Sequence, residues 1–150
     1  MPDTASAIKV SVDATVAEVQ KEVVARAYSA SNELRNASQH VLRGQRSGRT
    51  YRVPGTKKTY QASAPGEAPA VRTGAFRLSW RTGVDAEKKD NALHVQARIE
   101  SDMTVGKHLL GDVLEQGRKD GSMSARPYKQ AVKEMALPKI TEIFRRPYTK

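Results

Sequence analysis

A chain of 150 residues and 16.5 kDa has the length of one domain with a modest core, and residues 1–150 are read as a single domain. Hydrophobic residues make up 38% and aromatics only 5%, so the core has to be built from Ala, Val, Leu and Ile, with some apolar surface buried against other subunits. Cysteine is absent, which excludes disulfides and thiolate metal sites; no run approaches the ~18 apolar residues of a membrane span; and a net charge of +10 points to anionic partners.

The first residues, MPDTASAIKVSVD, lack the basic-then-apolar pattern of a secretion signal, so a soluble protein made in the cytoplasm is expected. Ile8, Val10 and Val12 alternate with polar neighbours and predict a short strand. Asp13 then reads as the N-cap of a helix running to about Arg43, with Gly44 as its stop. Val16, Val19, Val23, Ala27, Ala30, Leu34, Ala37 and Val41 recur at about 3.6 residues, the period of a narrow seam along one helical face. A seam rich in Val and Ala suits close packing of a long helix, either against another subunit or as a plain core helix.

From Gln45 to Arg72 no apolar period appears, apart from a possible β-ribbon over Thr50–Val53 and Thr59–Ala62 turning at Pro54-Gly55. An irregular stretch of this length is either functional or disordered in the lone protein. Order returns at Thr73. Leu78–Val84 and Ala92–Glu100 predict two antiparallel strands joined through Glu87–Asn91, the second with Leu93, Val95, Ala97 and Ile99 on its buried face. Thr104–Gln116 predicts a helix stopped by Gly117, and Pro127 fits the first position of a last helix kinked at Pro138. The expected fold class is therefore α+β: a long N-terminal helix, a small antiparallel sheet, an extended Pro/Gly-rich basic loop, and C-terminal helices.

The charge is unevenly spread. Residues 45–83 hold eight basic groups and one acidic, a net +7, and residues 126–150 hold seven and two, a net +5. Arg46, Arg49, Arg52, Lys57, Lys58 and Arg72 lie along the 45–72 loop with Tyr51 and Tyr60 between them. Such a segment suits nucleic acid, an anionic membrane or an acidic protein, or it is simply a solvated loop. The loop runs on into YQASAPGEAPAVRTGAFRLSW, whose prolines and glycines shape an arm and whose Phe76 and Trp80 are expected to moor its end to the core.

No catalytic constellation appears. Gly44–Thr50 resembles a phosphate loop only loosely, with three residues between its glycines and Arg in place of Lys. His40, His94 and His108 are far apart without metal-ligand spacing, and His94 falls on the wet face of its strand. Asp112 and Glu115 are three apart on a helix, a common surface arrangement, and no serine is set as a nucleophile. Neither enzymatic activity, a cofactor nor a metal is expected.

Two stretches are more specific. Ala64-Pro65-Gly66-Glu67-Ala68-Pro69 with Thr73-Gly74-Ala75-Phe76-Arg77-Leu78-Ser79 resembles a signature of the neck and tail-completion proteins of long-tailed phages, the family of the lambdoid minor tail protein Z. Leu114-Glu115-Gln116-Gly117 and Met123-Ser124-Ala125-Arg126-Pro127-Tyr128 resemble a second run of the same family, in the same order, and the likeness spans roughly residues 14–137. Gln116 departs from the usual aromatic, Arg118 from Thr, and Lys129-Gln130 from a second Arg-Pro. The resemblance implies a non-catalytic virion protein at the head–tail junction, assembled in the host cytoplasm as a ring of like subunits. A hexamer is favoured, and a dodecamer would match portal symmetry. The implied partners are head-completion and tail-tube proteins and the DNA passing through the channel, with no membrane involved.

For Pro65, Gly66, Thr73, Gly74, Phe76, Arg77, Ser79, Glu115, Gly117, Ala125, Arg126 and Pro127 the first expectation is fold maintenance, because turn Gly and Pro set backbone geometry. Arg126, ill-placed for the dipole of the helix it precedes, is expected to pair elsewhere, with Glu115 as candidate. The basic loop residues are expected to face a partner or DNA. The competing reading is a small basic nucleic-acid-binding protein, in which the loop's cations meet phosphates and its tyrosines stack on bases.

Overall fold

The structure, a computed structural model, describes residues 3–148 and is α+β. Its spine is α1 (Thr4–Val41), a single helix of 38 residues. Neither the strand expected at Ile8–Val12 nor the cap at Asp13 forms, because the helix already starts at Thr4 and Asp3 occupies its N-cap. Ile8, Val12 and Val16 also fit a spacing of four, and the helical period wins over the short alternation. The seam is real from Val19 onward: Ala27, Ala30 and Ala37 are buried, while Val19, Val23, Leu34 and Val41 are half-buried.

Small residues let α1 lie close to a long hairpin. β3 (Arg81–Lys89) and β4 (Ala92–Glu100) pair antiparallel over nine residues each, from Arg81 opposite Glu100 to Lys89 opposite Ala92. Only Asp90 and Asn91 form the turn, both with positive φ (51° and 61°), the conformation of a two-residue primed hairpin. The connection is thus shorter than the expected Glu87–Asn91, and β3 starts at Arg81 and not at Leu78. Ser31, fully buried in α1, joins helix to sheet: its hydroxyl donates to the Arg98 carbonyl at 2.6 Å and accepts from the Gly83 amide at 3.2 Å. β4 alternates as expected, with Leu93, Val95, Ala97 and Ile99 half-buried and His94 exposed.

On the other flank, α4 (Lys129–Arg145) packs on α1 and completes the core. Ala37, Leu42, Tyr128, Val132 and Ala136 form the buried cluster, with Phe76, Trp80, Leu114 and Ile140 packed against it. The helix begins two residues after Pro127, and Pro138 lies inside it. The residues before it depart from the expected Thr104 helix. Thr104–Val105 (β5) and His108–Leu109 (β6) form a tiny hairpin around Gly106, whose φ of 60° breaks any helix there. Only Leu110–Gln116 (α3) is helical, and Gly117 (φ 75°) stops it as expected. The described residues form three separate two-stranded sheets: the expected hairpin, the possible ribbon of the basic loop, and the unexpected β5–β6 hairpin. No described helix is long and apolar enough to cross a membrane.

Candidate functional site

The basic loop folds into an arm. Thr50–Arg52 (β1) and Thr59–Gln61 (β2) pair antiparallel around a turn with Gly55 at φ 73°, matching the ribbon expected there. Tyr51 and Tyr60 face each other across the ribbon with ring centroids 6.1 Å apart, and the Val53 amide donates to the Lys58 carbonyl beyond them. Arg49, Arg52, Lys57, Lys58 and Arg72 are exposed, and among the described residues none makes an ion pair.

Arg46 differs from the other five. Its guanidinium turns inward and donates to the Val41 carbonyl at 2.8 Å and to the Pro69 carbonyl at 3.1 and 3.2 Å. It thereby satisfies an orphan carbonyl at the end of α1 and ties the arm's two ends together. Burial lowers its pKa, partly opposed by the charge of Glu67. Arg46 is a structural clamp of the arm and not part of its outward charge. Glu67 secures the same base: its carboxylate accepts from the Ser47 hydroxyl and from the amides of Ser47 (3.0 Å) and Ala64 (2.8 Å). These bonds, the Ser47 hydroxyl first, hold its carboxyl at about 2 against an ordinary 4.5.

At the arm's far end the two aromatics are moored as expected. Thr73 Oγ1 accepts from the Ala75 amide at 3.3 Å, and Gly74 takes φ 84° at the start of the short helix α2 (Ala75–Leu78). Phe76, Trp80 and Tyr128 then make a mutual edge-to-face cluster, with centroids 5.5, 5.8 and 6.0 Å apart. Ser79 closes the turn onto the Phe76 carbonyl (2.8 Å) and meets Ser101 Oγ at 2.6 Å. Tyr128 donates to the Gly111 carbonyl at 3.2 Å; its burial, with the nearby charges of Glu115 and Asp112, pushes its pKa up. A side chain at Gly111 would collide with that hydroxyl.

The two motif-bearing stretches, far apart in sequence, meet in one knot. Gly66 (φ 83°) donates to the Ala125 carbonyl at 3.2 Å, beside exposed Pro65. The Arg126 amide donates to the Leu114 carbonyl at 2.7 Å. At Gly117 a Cβ would stand 2.7 Å from the Met123 carbonyl and 2.8 Å from the Ala125 amide. Glu115 does not pair with Arg126. Its carboxylate accepts from the backbone amides of Tyr128 (2.9 Å) and Lys129 (3.2 Å), capping α4 from a distance. Lys129 adds an ion pair to Asp112 at 3.0 Å, so both acids of α3 hold the start of α4. Pro127, exposed, fills the turn between the Arg126 bond and that cap.

Beside the knot lies a half-open cleft of about 490 Å³. Leu42, Phe76, Met103, Leu110, Leu114 and Met123 give it an apolar floor. Arg72, Arg77 and Arg126 also line it, and among the described residues no carboxylate does. Arg77 Nε and Arg126 Nη1 are buried with no hydrogen-bond partner among the described residues. Arg72 thus belongs both to the arm's charge and to a cationic cleft that Arg77 and Arg126 complete. The sequence does not announce it, because Arg126 lies about fifty residues beyond Arg72 and Arg77 and only the fold brings it to them. Among the described residues, no three His, Asp or Glu side chains gather as a metal site would require. Comparison with family models, curated proteins and solved structures finds no match to this chain.

Proposed function

We propose that this chain is a non-catalytic assembly protein of a tailed-phage virion, forming a ring of like subunits at the head–tail junction. The observation that carries the assembly reading is unspent surface. A compact protein of this mass exposes about 7,500 Å², whereas this chain of 16.5 kDa exposes 10871 Å². Ile8, Val10, Val12, Tyr51, Leu78 and Leu137 are all about half exposed or more. Apolar surface of that extent on a chain this size favours burial against other subunits. The kind of assembly comes from the resemblance, whose motif residues are the ones that tie arm, α3 and α4 together. A ring of six fits tail symmetry, with neighbouring head-completion and tail-tube proteins as further partners and DNA in the channel.

The exposed cations of the arm and its tyrosine pair favour a second reading, a small basic nucleic-acid-binding protein. One experiment separates the two. A phage lacking the gene should yield filled heads and separate tails, with joining restored by the wild-type chain. A variant with Arg49, Arg52, Lys57 and Lys58 changed to Ser should fold normally, since exposed charges add little stability. It should join heads to tails poorly if the arm docks on an acidic neighbour or on DNA. Normal virions from the deletion phage would refute the junction role, and a defect confined to replication or packaging would favour the second reading.

A further inference from the structure

Two features have no partner among the described residues, and their chemistries are complementary. The first is the start of α1. Every residue from Asp3 to Glu18 is exposed, a helical overhang of about 22 Å at 1.5 Å per residue. Ile8, Val12 and Val16, exposed at 60, 54 and 48%, extend the same stripe that is buried farther along the helix. Lys9 is the only basic group between Asp3 and Glu18, against Asp3, Asp13 and Glu18; it shares one margin of the stripe with Asp13, and Glu18 lies on the other side. Ser11, Thr15 and the valines are poor helix formers, and a short unsupported segment of this kind gains little from helicity alone.

The second is the cleft beside the knot, with its apolar floor and its three arginines unopposed by any described carboxylate. A segment apolar along one stripe and net acidic matches that lining. We propose that the α1 overhang of one copy docks on the arginine-lined cleft of the next, Ile8, Val12 and Val16 turning to the floor and the flanking acids to Arg72, Arg77 and Arg126. The patch on one copy differs from the patch on its neighbour, so the contact is head-to-tail, the kind that generates rings when the rotation closes. This rests on the self-assembly part of the proposed function and specifies its interface.

The chain's lack of cysteine lets single introduced thiols report the contact. Three single variants, V12C, V10C and M123C, are purified from the full chain, with thermal melting to show that each folds. Val10 lies about 200° around the helix from Val12 and serves as the off-stripe control. Mixed V12C and M123C copies should form a disulfide-linked pair under mild oxidation, and V10C with M123C should not. Reversing Arg77 and Arg126 to Glu should weaken association by more than about tenfold, because like charges would then face each other. Assemblies that cross-link only V12C to V12C would overturn the docking while leaving self-assembly standing. Absence of both cross-link and assembly would overturn the docking and self-assembly together.

Discussion

Phe76 shows how much one side chain organises here. It stacks edge-on against both Trp80 and Tyr128, and it lines the floor of the cleft, so the same ring moors the arm and shapes the cationic site. It is half-buried, so Phe76→Ala should cost about 2–3 kcal/mol, below the ~3–5 kcal/mol of a fully enclosed ring. A denaturant midpoint unchanged from wild type would contradict the mooring role. Other residues act through hydrogen bonds that no local pattern announces. Glu115 caps a helix thirteen residues downstream, and Ser31 bridges to strands more than fifty residues away. The expected pairing of Glu115 with Arg126 starts from the poor fit of a cation to the N-terminal end of a helix dipole. The backbone amides at the start of α4 are orphan donors that the fold brings to the Glu115 carboxylate, and it caps them instead.

At the scale of elements, legibility in the sequence depends on how local the signal is. β4 matches its expected bounds because strict alternation over nine residues is its own evidence, and the arm's ribbon is visible in Pro54-Gly55 between two short β-prone runs. The first turns of α1 read as a strand because three alternating residues carry both periods. The first half of the helix expected from Thr104 does not form because Gly106 turns the chain there, and only Leu110–Gln116 is helical. The cleft is illegible, since it exists only after the arm, α3 and the turn before α4 have met. The arm itself makes a pH prediction through Glu67. Its carboxyl sits at about 2 in the folded arm against 4.5 when free, so ionisation supports the arm's base above about 4.5. That support falls away as pH drops toward 2. The Ser47 amide resonance should titrate with a midpoint of about 2, together with that of Ala64. A midpoint near 4.5 would show that the carboxylate does not hold the arm.

For the whole molecule, the balance of surface against core is the main physical fact. Only seven hydrophobic residues are buried among the described residues, three of them in the α1 seam, while a helix overhang and a basic ribbon project from the body. A core built on alanines and one aromatic cluster gives modest burial to a chain with this much exposed length, and stability of the whole is expected to rise when copies cover one another. The light-scattering mass of the purified chain, taken across concentration with negative-stain images of the same sample, tests this most directly. The expected result is a closed multiple of 16.5 kDa, seen as rings, with six copies the favoured number. A single species of 16.5 kDa at every concentration, with no rings in the images, would contradict it.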